Sequence, residues 1–247
     1  MDAIDFLKDF SFLETLHINS VDDFDFSFLK NLVNLKDLLI GVEGKKLIDL
    51  SYCVNLEKLT IEWRKEVRGI EKCGNLQLFS LYGYKKSDLS QFAMLTSLKK
   101  LIMKSSAIGS LNGINALAKI ENIRIANCKK LNSVLHLNGL NKLEYLEFNT
   151  CPNIVNFSSV KNLPNLKTLY LIDCEEISSI KFIHNFPLLE TFGLLGNTNI
   201  TDGDTLPAKG IQHLSYRHYP HYNFKIPTPE ADALEKRNLD KIKRKKE

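Results

Sequence analysis

The sequence predicts an α/β solenoid of about ten coils. A parallel β-sheet would form its concave side, with short helices or 3₁₀ turns on the convex side. Three observations carry this expectation. The motif L-x-x-L-x-L, with conservative apolar swaps, occurs ten times, its first residue at Leu13, Leu35, Leu56, Leu76, Leu98, Ile120, Leu143, Leu166, Leu189 and Ile211. Successive starts lie 20 to 23 residues apart, a period that marks stacked repeats. Three apolar positions precede each start by nine, six and three residues, as Leu89, Phe92 and Leu95 precede Leu98.

Each element follows from the spacing. The last two apolar residues of the motif are two apart, so on a strand they share one face. The apolar triplet in steps of three suits a 3₁₀ turn or short helix on the opposite side. One coil cannot bury both faces alone, but stacked coils make a continuous core with strands about 4.8 Å apart. The tenth repeat departs from the rule, with Asp202, Thr205 and Ala208 at the triplet positions. Regular stacking is therefore expected to loosen after about residue 200. The organisation read from the chain is a solenoid over 1–217, an aromatic cap over 218–227 and a basic helix or tail over 228–247. Tyr216, Tyr219, Tyr222, Phe224 and Ile226 would cover the exposed core of the last coil, as the end repeats of solenoids require. The tail opens with Thr228 as N-cap and Pro229 at the first helical position, and it contains KIKRKK at 241–246.

At its motif positions the chain resembles the leucine-rich repeat family, in the 22–23-residue bacterial and phosphatase-regulator-like class. The stretch LKKLIMKSSAIGSLNGINALAK (98–119) follows that register throughout, except that Ser106 stands where the family carries Asn. The resemblance spans roughly residues 4–217. It implies the solenoid fold and a protein–protein interaction role, since families with this pattern include bacterial effectors, toxin-neutralising immunity proteins and phosphatase-regulatory scaffolds. An adaptor, inhibitor or immunity-type protein is what the resemblance implies.

The five cysteines fall on the repeat. Cys128, Cys151 and Cys174 are 23 residues apart, each eight residues after a motif start, where the family places Asn or Cys. Asn197 holds the same place in the next repeat, so a ladder Cys128–Cys151–Cys174–Asn197 is expected. Cys53 and Cys73 each lie three residues before a motif start, an otherwise apolar core position. Packing accounts for all five, as is usual for free cysteine.

Of 247 residues, 44% are apolar and 25% charged, and mean hydropathy is −0.16, the balance of a water-soluble globular chain. The N-terminal MDAIDFLKDF has two acids in its first five residues and no basic leader, and the cysteine count is odd. Together these point to a cytoplasmic protein. Charge is lopsided: seven acids against Lys8 within residues 1–25, and the basic run near the other end.

No phosphate-binding glycine loop, nucleophile elbow or zinc-ligand pair is present, so an enzyme is not expected and no cofactor is implied. His213, His218 and His221 cluster in IQHLSYRHYPHYNF, but no acid or cysteine has matching ligand spacing, and cap residues are the expected role.

A partner would meet the residues between the buried leucines. These are Tyr82, Lys100, Lys104, Arg124, Tyr145, Glu147 and Tyr170 on the concave face, where tyrosine and arginine suit interface anchors. At the turn position of coils two to four stand Glu43, Arg64 and Tyr84, preceded in coil three by Trp63. Such bulk does not suit a compact turn, so Trp63, Arg64 and Tyr84 are expected to project and flank the central patch. A protein partner and a monomeric state are expected. The alternative is an anionic surface or nucleic acid held by KIKRKK with Lys100, Lys104 and Arg124.

Overall fold

The structure, a computed structural model, describes residues 4–154 and 157–226. The expected tail helix at Thr228 and the KIKRKK run lie outside the described residues.

Among the described residues ten strands form one parallel sheet in sequence order. They are Thr15–Ser20, Asp37–Val42, Lys58–Glu62, Leu78–Tyr82, Lys100–Lys104, Asn122–Ala126, Tyr145–Asn149, Thr168–Ile172, Thr191–Leu195 and His213–Tyr216. Each strand begins two residues after a motif start, so the motif places one strand in every coil. Register is unshifted from coil to coil: Lys100 pairs with Leu78 and Asn122, and Asn122 with Tyr145. Within a strand the alternation is the expected one, with Leu101 and Met103 buried and Lys100, Ile102 and Lys104 turned to the concave side. Among the described residues the helical elements, all on the convex side, are short 3₁₀ turns such as Ser90–Phe92 and Ile114–Ala116. Steps of three keep their apolar residues on one edge, so Leu89, Phe92 and Leu95 all face the core. Two small parallel pairs, Ile48–Asp49 with Val67–Arg68 and Glu176–Ile177 with Asn199–Ile200, brace neighbouring turns.

All five cysteines are free and buried. Cys151 Sγ contacts the carbonyls of Ile125 (3.7 Å) and Asn149 (3.5 Å), and Cys174 Sγ those of Phe148 (3.6 Å) and Ile172 (3.4 Å). Each thiol thus meets carbonyls of its own coil and the coil before. The turn that makes this possible has a left-handed residue just before the rung: Ser105, Asn127, Thr150 and Asp173 all have φ between 49° and 54°. That reversal sends the following residue inward.

The ladder does not end on Asn197, which is exposed; Thr198 is the rung. Thr198 Oγ1 donates to the Leu171 carbonyl and accepts the Cys174 N–H, both at 3.1 Å. The cause is Asp173, whose carboxylate accepts the Asn197 N–H at 2.9 Å and holds that residue outside. Gly196, at φ 64°, permits this wider turn; a Cβ there would lie 2.0 Å from Asp173 Oδ1.

Stacking does not loosen after residue 200. The strand His213–Tyr216 pairs with Thr191–Leu194 in the same parallel register. Thr205, a polar residue at a core position, is fully buried because it fastens the segment that follows. Its Oγ1 donates to the Phe224 carbonyl (2.8 Å) and accepts the Phe224 N–H (2.9 Å), while its own N–H reaches Asn223 Oδ1 (2.8 Å). Tyr216 and Tyr222 are buried against the last coil, with Tyr219, Phe224 and Ile226 packed partly over it. The opposite end is less covered: Phe6, Phe10 and Phe12 pack on one another but remain exposed.

Candidate functional site

The concave face is a grid of half-buried side chains set by the sheet register. Arg124, Glu147, Tyr170 and Gly193 are consecutive neighbours across four strands. The Arg124 guanidinium lies over the Tyr145 ring, 4.5 Å from its centroid, and its Nε is 3.9 Å from Glu147 Oε2. The Tyr145 hydroxyl donates to the same Glu147 oxygen at 2.5 Å. Desolvation, followed by that hydrogen bond to a carboxylate, pushes the Tyr145 hydroxyl well above the ordinary phenol range. The Tyr145 and Tyr170 rings are 6.2 Å apart. Tyr170 in turn covers Gly193, where a Cβ would come within 2.4 Å of the ring. The absent side chain gives Tyr170 its seat. Arg124, Tyr145, Glu147 and Tyr170 are therefore assembled before any partner arrives, and the Arg124 side chain keeps 42% of its surface open.

Nearer the first coils the same face is hollowed. A depression of about 560 Å³ is lined by Leu39, Gly41, Thr60, Glu62, Tyr82 and Lys85, among others. A Cβ on Gly41 would meet Asn19 Oδ1 at 2.2 Å, so the row is kept low there. The Lys104 amine lies 5.6 Å from the ring centre of Tyr82, one of the lining residues. Lys100 lies in register between Leu78 and Asn122, half-buried.

The expectation that Trp63, Arg64 and Tyr84 project as a flanking rim is overturned. Trp63 is 7% exposed and Tyr84 fully buried. They form an aromatic cluster with Phe79 and Phe92, Trp63 lying 5.5 Å from Tyr84 and 5.2 Å from Phe92, both edge-on. Coil three lacks the left-handed residue of the regular turn, so strand alternation simply continues: Leu59, Ile61 and Trp63 all point inward. In coil four Gly83, at φ 70°, reverses the chain and turns Tyr84 in. Arg64 is a brace: its Nη2 donates to the Lys46 carbonyl at 2.7 Å, and its Nη1 lies 3.4 Å from Asp23 Oδ1. Asp23 accepts the Lys45 and Lys46 N–H groups as well, and these bonds hold its carboxyl below the usual range despite desolvation, the largest influence, which acts the other way. The guanidinium thus satisfies carbonyls where the regular coils use a thiol. Of that group Glu43 alone stays exposed.

The three clustered histidines serve different contacts. His213 is exposed, His218 packs on Tyr216, and His221 Nε2 lies 3.0 Å from the Ile200 carbonyl. Among the described residues no group of three or more His, Cys, Asp or Glu side chains is placed to hold a metal ion. Among them, too, no helix is long and apolar enough to cross a membrane.

Sequence reasoning missed Gly41 and Gly193, whose lack of a side chain shapes the face, and the exposed pair Lys129–Lys130, visible as a doublet two repeats after Lys85–Lys86. The glycines were visible only as gaps in rows otherwise filled by larger residues.

No protein-family model matches the sequence, and no curated protein matches it either. Solved structures do. An internalin (InlF) from Listeria monocytogenes is 20% identical with a TM-score of 0.71, over 90% of this chain and 64% of that one. The chain therefore spans somewhat under two thirds of that internalin. A TLR13–ssRNA13 complex matches at 23% identity and TM-score 0.65, over 91% of this chain and 35% of that one. The functional domain of InlJ from Listeria monocytogenes, described as including a cysteine ladder, matches at 14% identity and TM-score 0.55, over 81% of this chain and 48% of that one. At these identities the likeness is one of fold, and the fold is the leucine-rich-repeat solenoid.

Proposed function

We propose that this leucine-rich-repeat solenoid is a non-enzymatic protein-recognition module, an adaptor, inhibitor or immunity-type protein. Its partner would dock on the concave face around Arg124, Tyr145, Glu147 and Tyr170, with Tyr82, Lys100 and Lys104 beside them. One observation carries the reading: these side chains are already locked to one another by a cation–π contact, a hydrogen bond and an aromatic pair. A partner would meet them at little ordering cost, the condition under which a modest interface binds well. Tyrosine and arginine also head the residue types whose truncation costs most at interfaces. Trp63 and Tyr84, being buried, and Arg64, held as a brace to the Lys46 carbonyl and Asp23, are left out of the surface.

The test is capture of partners from lysate by wild type and by Arg124→Ala/Tyr145→Ala. Both residues lie outside the core, so the variant should stay folded, although losing the half-buried Tyr145 ring and its contacts should cost about 1–3 kcal/mol and lower the melting temperature by about 2–12 °C. Loss of the captured protein with folding intact is the expected outcome. Capture of the same protein at the same yield would remove these residues from the interface.

A further inference from the structure

We infer that the turns of coils four to six form a second docking surface, a lysine-walled trough that takes an acidic segment of a partner protein. The inference rests on the protein-recognition reading and names the partner's chemistry. The trough is a shallow, open depression of about 440 Å³ lined by Lys85 from coil four, Asn127, Lys129 and Lys130 from coil six, and Ser105, Ser106 and Ala107 from the coil between them. The shape comes from the repeat. Coil five carries Ser-Ser-Ala where coil four has Gly-Tyr-Lys and coil six Asn-Cys-Lys, so the middle coil is low between two basic walls.

All three lysines are exposed, and none of their side chains has an ion-pair or hydrogen-bond partner among the described residues. Asp88, the acid that follows Lys85 in the same turn, is already occupied. Its oxygens accept the Ser90 N–H and hydroxyl and the Asn112 amide. Two arginines in the turns of earlier coils are matched, Arg68 with Asp49 and Arg64 with Asp23. Like charges gathered without counter-charge oppose folding, and carboxylates brought by a partner would relieve that repulsion.

Geometry narrows the class. Lys85 and Lys129 sit two coils apart, roughly 10 Å at about 4.8 Å per strand spacing, which falls between the i, i+2 and i, i+4 spacings (about 7 and 13 Å) that share one face of an extended segment and is within reach of flexible lysine and glutamate side chains. Lys85 and Ser105 line both this trough and the concave depression beside Tyr82 and Leu39, so one segment can run from the rim onto the concave face. None of the residues lining the trough is aromatic, so it offers a base no ring to stack upon. An acidic polypeptide fits better than a single-stranded nucleic acid.

The test measures fluorescence anisotropy of a fluorescein-labelled decaglutamate peptide with the full chain at low salt. Wild type should bind, and binding should vanish by about 0.5 M NaCl, where exposed charges are screened within a few ångströms. Lys85→Glu/Lys129→Glu/Lys130→Glu should weaken it by at least about tenfold. Because the three side chains are exposed, the melting temperature should hold; Lys85→Gln/Lys129→Gln/Lys130→Gln, with charge removed rather than reversed, should give a smaller loss. Arg124→Ala/Tyr145→Ala should still bind the peptide, which separates failure of the trough from failure of the concave patch. Absence of wild-type binding would overturn the inference, as would equal binding by the Glu variant. Tighter binding of an oligouridylate of equal length through the same lysines would overturn it in favour of nucleic acid.

Discussion

Trp63 is the chain's single tryptophan, which makes its burial directly measurable. Replacing it with alanine removes a ring packed against Phe79, Tyr84 and Phe92 at centroid distances of 6.3, 5.5 and 5.2 Å. A buried tryptophan covers about 200 Å², and at about 25 cal/mol per Å² its transfer is worth up to about 5 kcal/mol. Edge-on aromatic contacts add to this, while partial collapse of the neighbouring rings subtracts. The net cost should be about 3–5 kcal/mol. At about 2–4 °C per kcal/mol for a chain of this size, the melting temperature should fall by about 6–20 °C. Solenoid coils stack only on their neighbours, so amide exchange should rise first in coils three and four. The assay is a thermal melt followed by circular dichroism, since the variant has lost its fluorophore. Wild-type emission supplies the second readout: a ring 7% exposed should emit in the blue and resist iodide quenching. A variant melting within about 2 °C of wild type, with wild-type emission quenched as readily as free tryptophan, would return Trp63 to the surface and refute the argument.

The ladder correction is tested by a pair of substitutions. Thr198→Val strands the Leu171 carbonyl and the Cys174 N–H and should cost about 1–3 kcal/mol in denaturant titration, whereas Asn197→Ala should stay within about 0.5 kcal/mol. The reverse order of costs would restore Asn197 as the rung. All five thiols should be silent to Ellman's reagent in the folded protein at pH 8 and react after unfolding; prompt reaction of any one in the folded state contradicts its burial. Stability should also decline in alkali. Burial pushes Cys53 and Cys73 up to about 12, so the folded state keeps protons that the unfolded chain gives up from about pH 8.5. Their contribution is complete below that pH and is lost as pH climbs toward 12, at about 1.4 kcal/mol per unit per thiol. Cys53→Ala/Cys73→Ala should flatten that decline, and an unchanged slope would assign it to other groups.

The fold was legible because it is periodic. Each motif start marks its strand, and Cys53 and Cys73 could be placed in the core by counting alone. Reading failed where one coil answers to another. Asn197 keeps the rung's spacing but loses the rung to Thr198, because Asp173 in the preceding coil draws it outward. Thr205 looked like the end of the core, yet its hydroxyl is consumed by Asn223 and Phe224, eighteen and nineteen residues on. The candidate site was half legible. Strand alternation put Arg124, Tyr145, Glu147 and Tyr170 on the concave face, but their locking depends on distances that no spacing states.

What the sequence by itself determined is the architecture: ten coils, their register, the inward and outward rows, and the cysteines as packing residues. Those follow from periods of two and three and from apolar burial, which are local or repeated properties. Only the tertiary structure decided the fate of Trp63, Arg64 and Tyr84, and which concave side chains are held and which are open. That depends on a single backbone reversal at each turn, present in coil four at Gly83 and absent in coil three. The sign of one φ angle decides which residue of the turn enters the core, Trp63 where the reversal is absent and Tyr84 where it is present.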